Sequence, residues 1–284
     1  MLNSKYFLLI LSHQKSVYRE NQLKSLRAQK RFDDFIIYYF IGKPNLESDY
    51  IIDDDNKIVY LKTPDNYEGL PLKTLKSLNF IESKYTDIIK GVFKTDDDIE
   101  IDLERLFDVL ELNSKEKYFG SVTVNKEPKS SYHFGKCENE TLNILIIDDL
   151  PINLSYCSGG GYFINNSIIK EITKNDESFY KIMYEDLAMG KCISDLGYQP
   201  KNVDIRKECC KWVDDIFYDL DFDLNNLPPN KKLKLILSDQ FGNFENSSTL
   251  IESIQQVPLR LRFPPTINLE DPDCQYRLKL RVYE

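Results

Sequence analysis

Through the first two hundred residues, apolar runs of strand length alternate with stretches whose apolar residues recur at helical spacing. This alternation constrains the chain more than any other feature, because strands joined through helices pack as a mainly parallel sheet with helices on its faces. The runs at 6–12, 35–41 and 57–61 read as strands, the second closed by Gly42. Leu23 and Leu26 mark a helix between the first two, and Leu72, Leu75, Leu78 and Ile81 mark another after the third. A strand at 87–93 leads to a helix carrying Leu103, Leu106, Phe107 and Leu110. Further strands are expected at 118–124 and 155–165, and a helix at 185–197 ends on Gly197, a common C-terminal stop. Residues 128–149 are polar and irregular apart from 145–147.

A chain of 284 residues can bury one elaborate core. We assign a globular α/β domain to 1–213 and a C-terminal extension to 214–284, where the pattern weakens and Pro228, Pro229, Pro264 and Pro265 punctuate short runs. A net charge of -9 argues against a nucleic-acid binder, which needs clustered Lys and Arg to neutralise phosphates. No stretch approaches the roughly 20 apolar residues that span a bilayer, and the run at 6–12 lacks a leader's cleavage pattern, so a soluble chain is expected. The six Cys show no zinc-type spacing. Of the Asn-x-Ser/Thr acceptors at Asn139, Asn153, Asn165 and Asn246, two flank a Gly-rich segment. A glycan there would obstruct a site, so a reducing, cytoplasmic compartment is expected; a Golgi or other lumen is the alternative if an anchor was removed.

Asp96, Asp97 and Asp98 directly follow the strand at 87–93. Adjacent carboxylates repel by roughly 1 to 4 kcal/mol per close pair, and a hard divalent cation would offset that while neutralising a diphosphate. The carboxyl ends of parallel strands are also where such sheets bind ligands. Gly159, Gly160 and Gly161 either let a ligand approach the backbone or make a bulge. Glu185 and Asp186 open a helix, where they serve as favourable N-terminal charge or as a general base. His13 and His133, the only histidines, leave little material for a His-based metal cluster or a catalytic triad. The run Asp53 to Asp55 reads as a solvated turn. No Gly-Lys-Ser/Thr phosphate loop is present, which argues against a phosphoryl-transfer enzyme.

Four blocks, YEGLPLKTL (67–75), KGVFKTDDDIEIDLERL (90–106), YCSGGGYFI (156–164) and YEDLAMGKCISDLGY (184–198), fall in the order of one family. The chain resembles the β-1,3-galactosyltransferase and β-1,3-N-acetylglucosaminyltransferase family, to which Fringe is more distantly related; the likeness covers roughly residues 6–200. It implies a GT-A fold, Rossmann-like with a mainly parallel central sheet and flanking helices, so that 1–213 would be the catalytic domain. It also implies a UDP-sugar donor, Mn²⁺ or Mg²⁺, a glycan or glycosylated acceptor, and inverting transfer to a β-1,3 linkage. By motif match Asp98 and Asp96 are the metal residues, with Asp96 and Asp97 also beside the donor and Asp186 the catalytic base. Ser12, Arg27, Lys73, Gly159, Gly160 and Gly161 are assigned to the donor site by the same resemblance. The chain departs from the family in having no His after the Glu-Asp helix, which leaves Asp204, Glu208, Cys209 or Cys210, or additional water on the metal, to take its place. That departure keeps alive a second reading, a non-catalytic carbohydrate-binding protein on the same fold.

Overall fold

The computed structural model describes residues 5–133 and 136–212, and beyond them only the strands Phe217–Leu220, Lys232–Asp239, Thr249–Ile251, Leu259–Arg262 and Tyr276–Tyr283. The chain divides into two compact units, Met1–Trp212 and Val213–Glu284.

The first unit is built on β1 (Lys5–Leu11), α1 (Arg19–Arg27), β2 (Phe35–Gly42), β3 (Tyr50–Asp53), β4 (Ile58–Leu61), α2 (Leu70–Tyr85) and β5 (Ile89–Asp96). It continues with β6 (Ile99–Ile101), α3 (Leu103–Leu112), β7 (Tyr118–Asn125), β8 (Leu154–Asn165), α4 (Asn166–Lys174), α5 (Glu177–Lys181), α6 (Glu185–Asp195), β9 (Lys201–Asn202), α7 (Ile205–Glu208) and β10 (Cys210–Trp212). Eight strands form one sheet in the order β3-β4-β2-β1-β5-β8-β7-β9. The pairs β4/β2, β2/β1, β1/β5 and β7/β9 are parallel, and only β3 and β8 run against the others. This is the mainly parallel, Rossmann-like architecture expected from the alternation of strands and helices. Within the second unit, Phe217–Leu220 pairs antiparallel with Leu259–Arg262, and Lys232–Asp239 pairs antiparallel with both Thr249–Ile251 and Tyr276–Tyr283. Most of the extension assigned to 214–284, with Asn246 and Cys274, lies outside the described residues.

Strand alternation divides the core between the two faces of the sheet. Phe7, Leu9 and Leu11 of β1 pack on one face with Leu75, Leu78 and Ile81 of α2, Ile168, Ile169 and Ile172 of α4, and Leu187, Met189 and Ile193 of α6. Tyr6, Leu8 and Ile10 pack on the other with Leu23 and Leu26 of α1 and Leu103, Leu106 and Leu110 of α3. Local signals hold the helices in place. Asp102 caps α3 by accepting from the Glu104 and Arg105 amides, which is worth about 1 kcal/mol. Gly197 closes α6 in the left-handed region at φ +82°, with the Tyr198 amide reaching back to the Ile193 carbonyl.

Gly91 shows how closely β5 and β8 approach. A Cβ there would lie 2.3 Å from Phe163 Cζ and 2.6 Å from the Ile164 carbonyl oxygen. The ring is fully buried and the oxygen is backbone, so neither yields easily. Gly91→Ala is therefore expected to lower stability by about 1 to 3 kcal/mol, read as a lower urea midpoint at unchanged slope.

Candidate active site

The carboxyl ends of β1, β2, β4 and β5 share one edge of the sheet, where the candidate residues meet. β5 ends on Asp96, Asp97 donates its amide to the Leu11 carbonyl, and the acidic turn is thereby sewn to the end of β1. The Asp97 carboxylate is buried and accepts from the Ser12 hydroxyl. Asp96 and Asp98 are half-buried. The carbonyl of Asp96 accepts from Gln22 Nε2 at 3.2 Å, and the same amide group reaches the Ile99 carbonyl at 2.6 Å, which fixes the turn from the α1 side.

β8 reaches the same edge from the opposite direction. Its pairing with β7 jumps from Gly120↔Tyr162 to Val122↔Cys157, so that residues 158–161 oppose Ser121 alone. These four residues bulge out of the ladder toward β5 and α6. The Gly160 carbonyl accepts from Thr95 Oγ1 at 2.9 Å. None of the three glycines adopts a positive φ. Gly161 is needed for space, since a Cβ there would lie 2.9 Å from Phe93 Cζ and 3.2 Å from Ile205 Cγ2. Gly159 has ordinary room, with its nearest neighbours, Asp186 Oδ2 and Glu185 Oε2, at 3.6 Å from a Cβ.

α6 brings its first turn against this bulge. Asp186 accepts from the Gly159 amide at 3.2 Å through Oδ2 and from the Leu187 amide at 2.9 Å through Oδ1. Burial raises its pKa above the ordinary aspartate value, while Lys94 and the two amides pull the other way. Glu185 is buried and accepts from the Tyr162 hydroxyl; burial raises its pKa as well, against the pull of Lys94. The Lys94 ammonium, 2% exposed, lies 2.9 Å from Asp96 Oδ1, 2.7 Å from the Gly159 carbonyl and 3.1 Å from Glu185 Oε2. Burial works against its charge, but Asp96 and Glu185 outweigh that and hold its pKa above the ordinary lysine value.

A second group lies beside Ser12. Lys73 is buried on α2 and donates to the Ser12 carbonyl at 2.9 Å and to Asp65 Oδ1 at 2.7 Å. Asp65 also accepts from the Gly42 and Gln14 amides, both at 2.8 Å, and so ties the loops after β1 and β2 together. Arg19 Nη1 donates to the His13 carbonyl at 3.1 Å and reaches Ser12 Oγ at 3.5 Å.

Of the residues singled out by sequence, Ser12, Lys73, Asp96, Asp97, Asp98, Gly159, Gly160, Gly161 and Asp186 thus come to this edge. Arg27 lies apart from it. It sits at the last residue of α1, about 12 Å along the helix from Arg19 at 1.5 Å per residue, and donates to the Asp55 carbonyl at 2.7 Å. The arginine at the edge is Arg19, the first residue of the same helix. His133 is buried and bonds through its two ring nitrogens to the Tyr184 hydroxyl and to the Leu142 and Leu145 carbonyls. Among the described residues no three His, Cys, Asp or Glu side chains converge as a metal-ligating group. Asp204 caps α7, and Cys209 and Cys210 are buried with sulfurs 3.8 Å apart, in the segment that pairs with β6.

Lys94, Arg19, Gln22 and Asp65 carry much of this geometry without having stood out in the sequence. For Lys94 a signal was available: it occupies a position whose strand neighbours Val92 and Phe93 are wholly buried.

Among the described residues no helix is long and apolar enough to cross a membrane. Residues 16–204 match the family model described as Galactosyltransferase. The chain is 27% identical over 146 residues to mouse beta-1,3-galactosyltransferase 1, a match covering 48% of this chain and 41% of that protein. It is 25% identical over 153 residues to UDP-GalNAc:beta-1,3-N-acetylgalactosaminyltransferase 1 of Mus spicilegus, covering 53% and 44% respectively. The chain thus matches under half the length of these curated relatives. A solved structure, 4-diphosphocytidyl-2C-methyl-D-erythritol synthase from Anaerococcus prevotii, aligns with 72% of this chain and 88% of its own at 14% identity and a TM-score of 0.39. The family match runs from the loop after β1 through the acidic turn, the Gly-rich bulge and the whole of α6, and the chain belongs to the galactosyltransferase family.

Proposed function

We propose that the chain is a metal-dependent, inverting hexosyltransferase that moves a sugar from a UDP-sugar to a hydroxyl of a carbohydrate acceptor. The observation that carries this reading is the convergence of two carboxylate groups on the Ser158–Gly161 bulge: Asp96 is linked through Lys94 to the Gly159 carbonyl, and Asp186 binds the Gly159 amide. One group suits a leaving diphosphate and the other a proton acceptor. The names of the relatives support a UDP-linked donor and a β-1,3 linkage.

The donor set fits a hard divalent cation such as Mn²⁺ or Mg²⁺. Asp96 and Asp98 offer carboxylate oxygens from one turn, and a cation held by only one or two carboxylates completes its shell with water and substrate phosphates. Bound there, it would supply positive charge to a departing UDP. Asp97 is taken up by Ser12 and shapes the turn. In a single displacement the acceptor oxygen bonds to the anomeric carbon, the bond to the diphosphate breaks with its electron pair leaving on UDP, and the acceptor's proton passes to Asp186. Attack from the side opposite the leaving group inverts the centre. A reducing compartment is in keeping with the free thiols of Cys137, Cys157, Cys192, Cys209 and Cys210.

The non-catalytic reading draws on one observation, that no third protein ligand joins Asp96 and Asp98 among the described residues. The two readings part in one experiment, a panel of UDP-sugars incubated with β-galactoside and N-acetylhexosaminide acceptors. UDP release that needs acceptor and Mn²⁺ and stops on chelation is expected for one donor. Sugar binding without release of UDP from any donor would favour the non-catalytic protein.

A further inference from the structure

We propose that Lys94 is a positioning residue of the transfer site, which holds the acidic turn after β5 and the first turn of α6 in one register through the Gly159 peptide. The proposal rests on the transferase reading above and names what aligns its two halves.

Lys94 stands where packing alone would call for an apolar side chain. It shares a strand face with Val92, which is fully buried against the α2 and α6 side of the core. Removing an ammonium from water is costly unless every donor is met, and an apolar residue of similar size often serves a fold as well or better. Here all three donors are met, and each partner comes from a different segment: Asp96 Oδ1 at the end of β5 at 2.9 Å, the Gly159 carbonyl in the bulge at 2.7 Å, and Glu185 Oε2 at the start of α6 at 3.1 Å. The ammonium also lies 5.6 Å from the centre of the Tyr162 ring, whose hydroxyl donates to Glu185. Every direction available to the group is specified.

The partners are not interchangeable bystanders. Asp96 belongs to the turn assigned to the donor, and Glu185 is covalently adjacent to the proposed base. Gly159 turns both of its backbone groups to the pair, its carbonyl to Lys94 and its amide to Asp186. A displaced Lys94 would therefore move the Gly159 peptide, and with it a hydrogen bond that orients the base. Simple neutralisation of Glu185 would need none of this three-way geometry.

Three proteins are compared: wild type, Lys94→Met, and Lys94→Met/Glu185→Gln, the last removing the more deeply buried of the two carboxylates that the methionine leaves without a counter-charge. Thermal melting, UDP affinity in Mn²⁺ by calorimetry, and turnover are measured on each. Lys94→Met is expected to melt lower, to bind UDP about 10-fold more weakly, and to lose on the order of 100-fold in kcat. The double variant should recover its melting temperature while UDP affinity stays about 10-fold weak. Recovery of affinity together with stability would overturn the proposal, because Lys94 would then only neutralise Glu185. If Lys94→Met fails to fold, the double variant carries the comparison alone. A wild type that binds UDP in Mn²⁺ but transfers no sugar defeats the transferase reading and leaves the affinity comparison decisive; a wild type that binds no UDP defeats both.

Discussion

Asp98→Ala is expected to weaken UDP binding in the presence of Mn²⁺ by at least about 10- to 100-fold, the loss typical even of residues that merely orient a metal ligand, or roughly 1.4 to 2.7 kcal/mol. Asp98 is half-buried at the carboxyl end of β5, one residue beyond Asp97, whose own carboxylate is committed to the Ser12 hydroxyl. It shares its turn with Asp96, one of whose oxygens already accepts from Lys94. Loss of Asp98 would leave Asp96 as the one carboxylate of the pair facing a cation, with half the negative charge to hold it. Calorimetric titration with UDP in Mn²⁺, and again in chelator, reads the effect. The variant should differ from wild type with Mn²⁺ and match it in chelator. Equal affinity for both proteins under both conditions would sink the metal assignment.

Asp97 gives the contrast within the same turn. Its carboxylate is buried against Ser12, whose carbonyl in turn accepts from Lys73. Two neighbouring aspartates thereby stand in different surroundings, Asp97 buried against Ser12 and Asp98 half-buried one residue on. Nothing in the run of three identical residues distinguishes them, because the distinction comes from Ser12 and Lys73, 85 and 24 residues away in the chain.

The legibility of the chain followed the range of the forces involved. Strands whose neighbours bury both faces, such as β1, β2 and β5, announce themselves as continuous apolar runs, and α2, α3 and α6 do so by helical periodicity. β3 was not apparent, since four residues at a sheet edge, none of them fully buried, carry little pattern. α4 carries Ile168, Ile169 and Ile172 at helical spacing and an Asn165 cap that accepts from the Ser167 amide, but it follows β8 without a break, so its start is masked by the strand's own apolar run. The site was readable as a set of motifs but not as an arrangement. The motif containing Lys94 reads as acidic, and only the fold brings the ammonium to a carbonyl 65 residues on and a carboxylate 91 residues on. The different positions of Arg27 and Arg19 have the same origin. Both lie on α1, and only the direction of that helix, away from the carboxyl edge of the sheet, says which end can reach Ser12.

Asp186→Asn should lower kcat by about 10²- to 10⁴-fold, or roughly 3 to 5.5 kcal/mol of barrier, while UDP affinity stays close to wild type. A sugar hydroxyl is a weak nucleophile until its proton begins to leave, and asparagine keeps the shape of the acceptor without being able to take that proton. Its single carbonyl oxygen can accept from only one of the Gly159 and Leu187 amides, which meet separate oxygens of Asp186, and α6 is kept against the bulge by the buried packing of Leu187, Met189 and Ile193. The neighbouring carboxylate is less suited to the task. Glu185 is 6% exposed and spends its oxygens on Lys94 and Tyr162, whereas Asp186 is half-buried and accepts from the backbone amides of Gly159 and Leu187. Two further readouts follow from the burial that raises the Asp186 pKa. The base must be ionised to act, so kcat in the wild type should fall on the acid side at a higher pH than an exposed aspartate would give. The same shift bears on stability with the opposite preference: a carboxyl whose pKa is higher in the folded than in the unfolded state favours folding at low pH, and that contribution disappears as pH rises through the folded value. Wherever Asp186 is ionised its charge is thus a burden on the fold, which offsets the amide hydrogen bond that asparagine gives up, and Asp186→Asn should melt close to the wild-type temperature. An enzyme that turns over normally with asparagine at 186 would remove Asp186 as the base; one that loses activity only because it melts early would show that the residue holds the fold and does not move the proton.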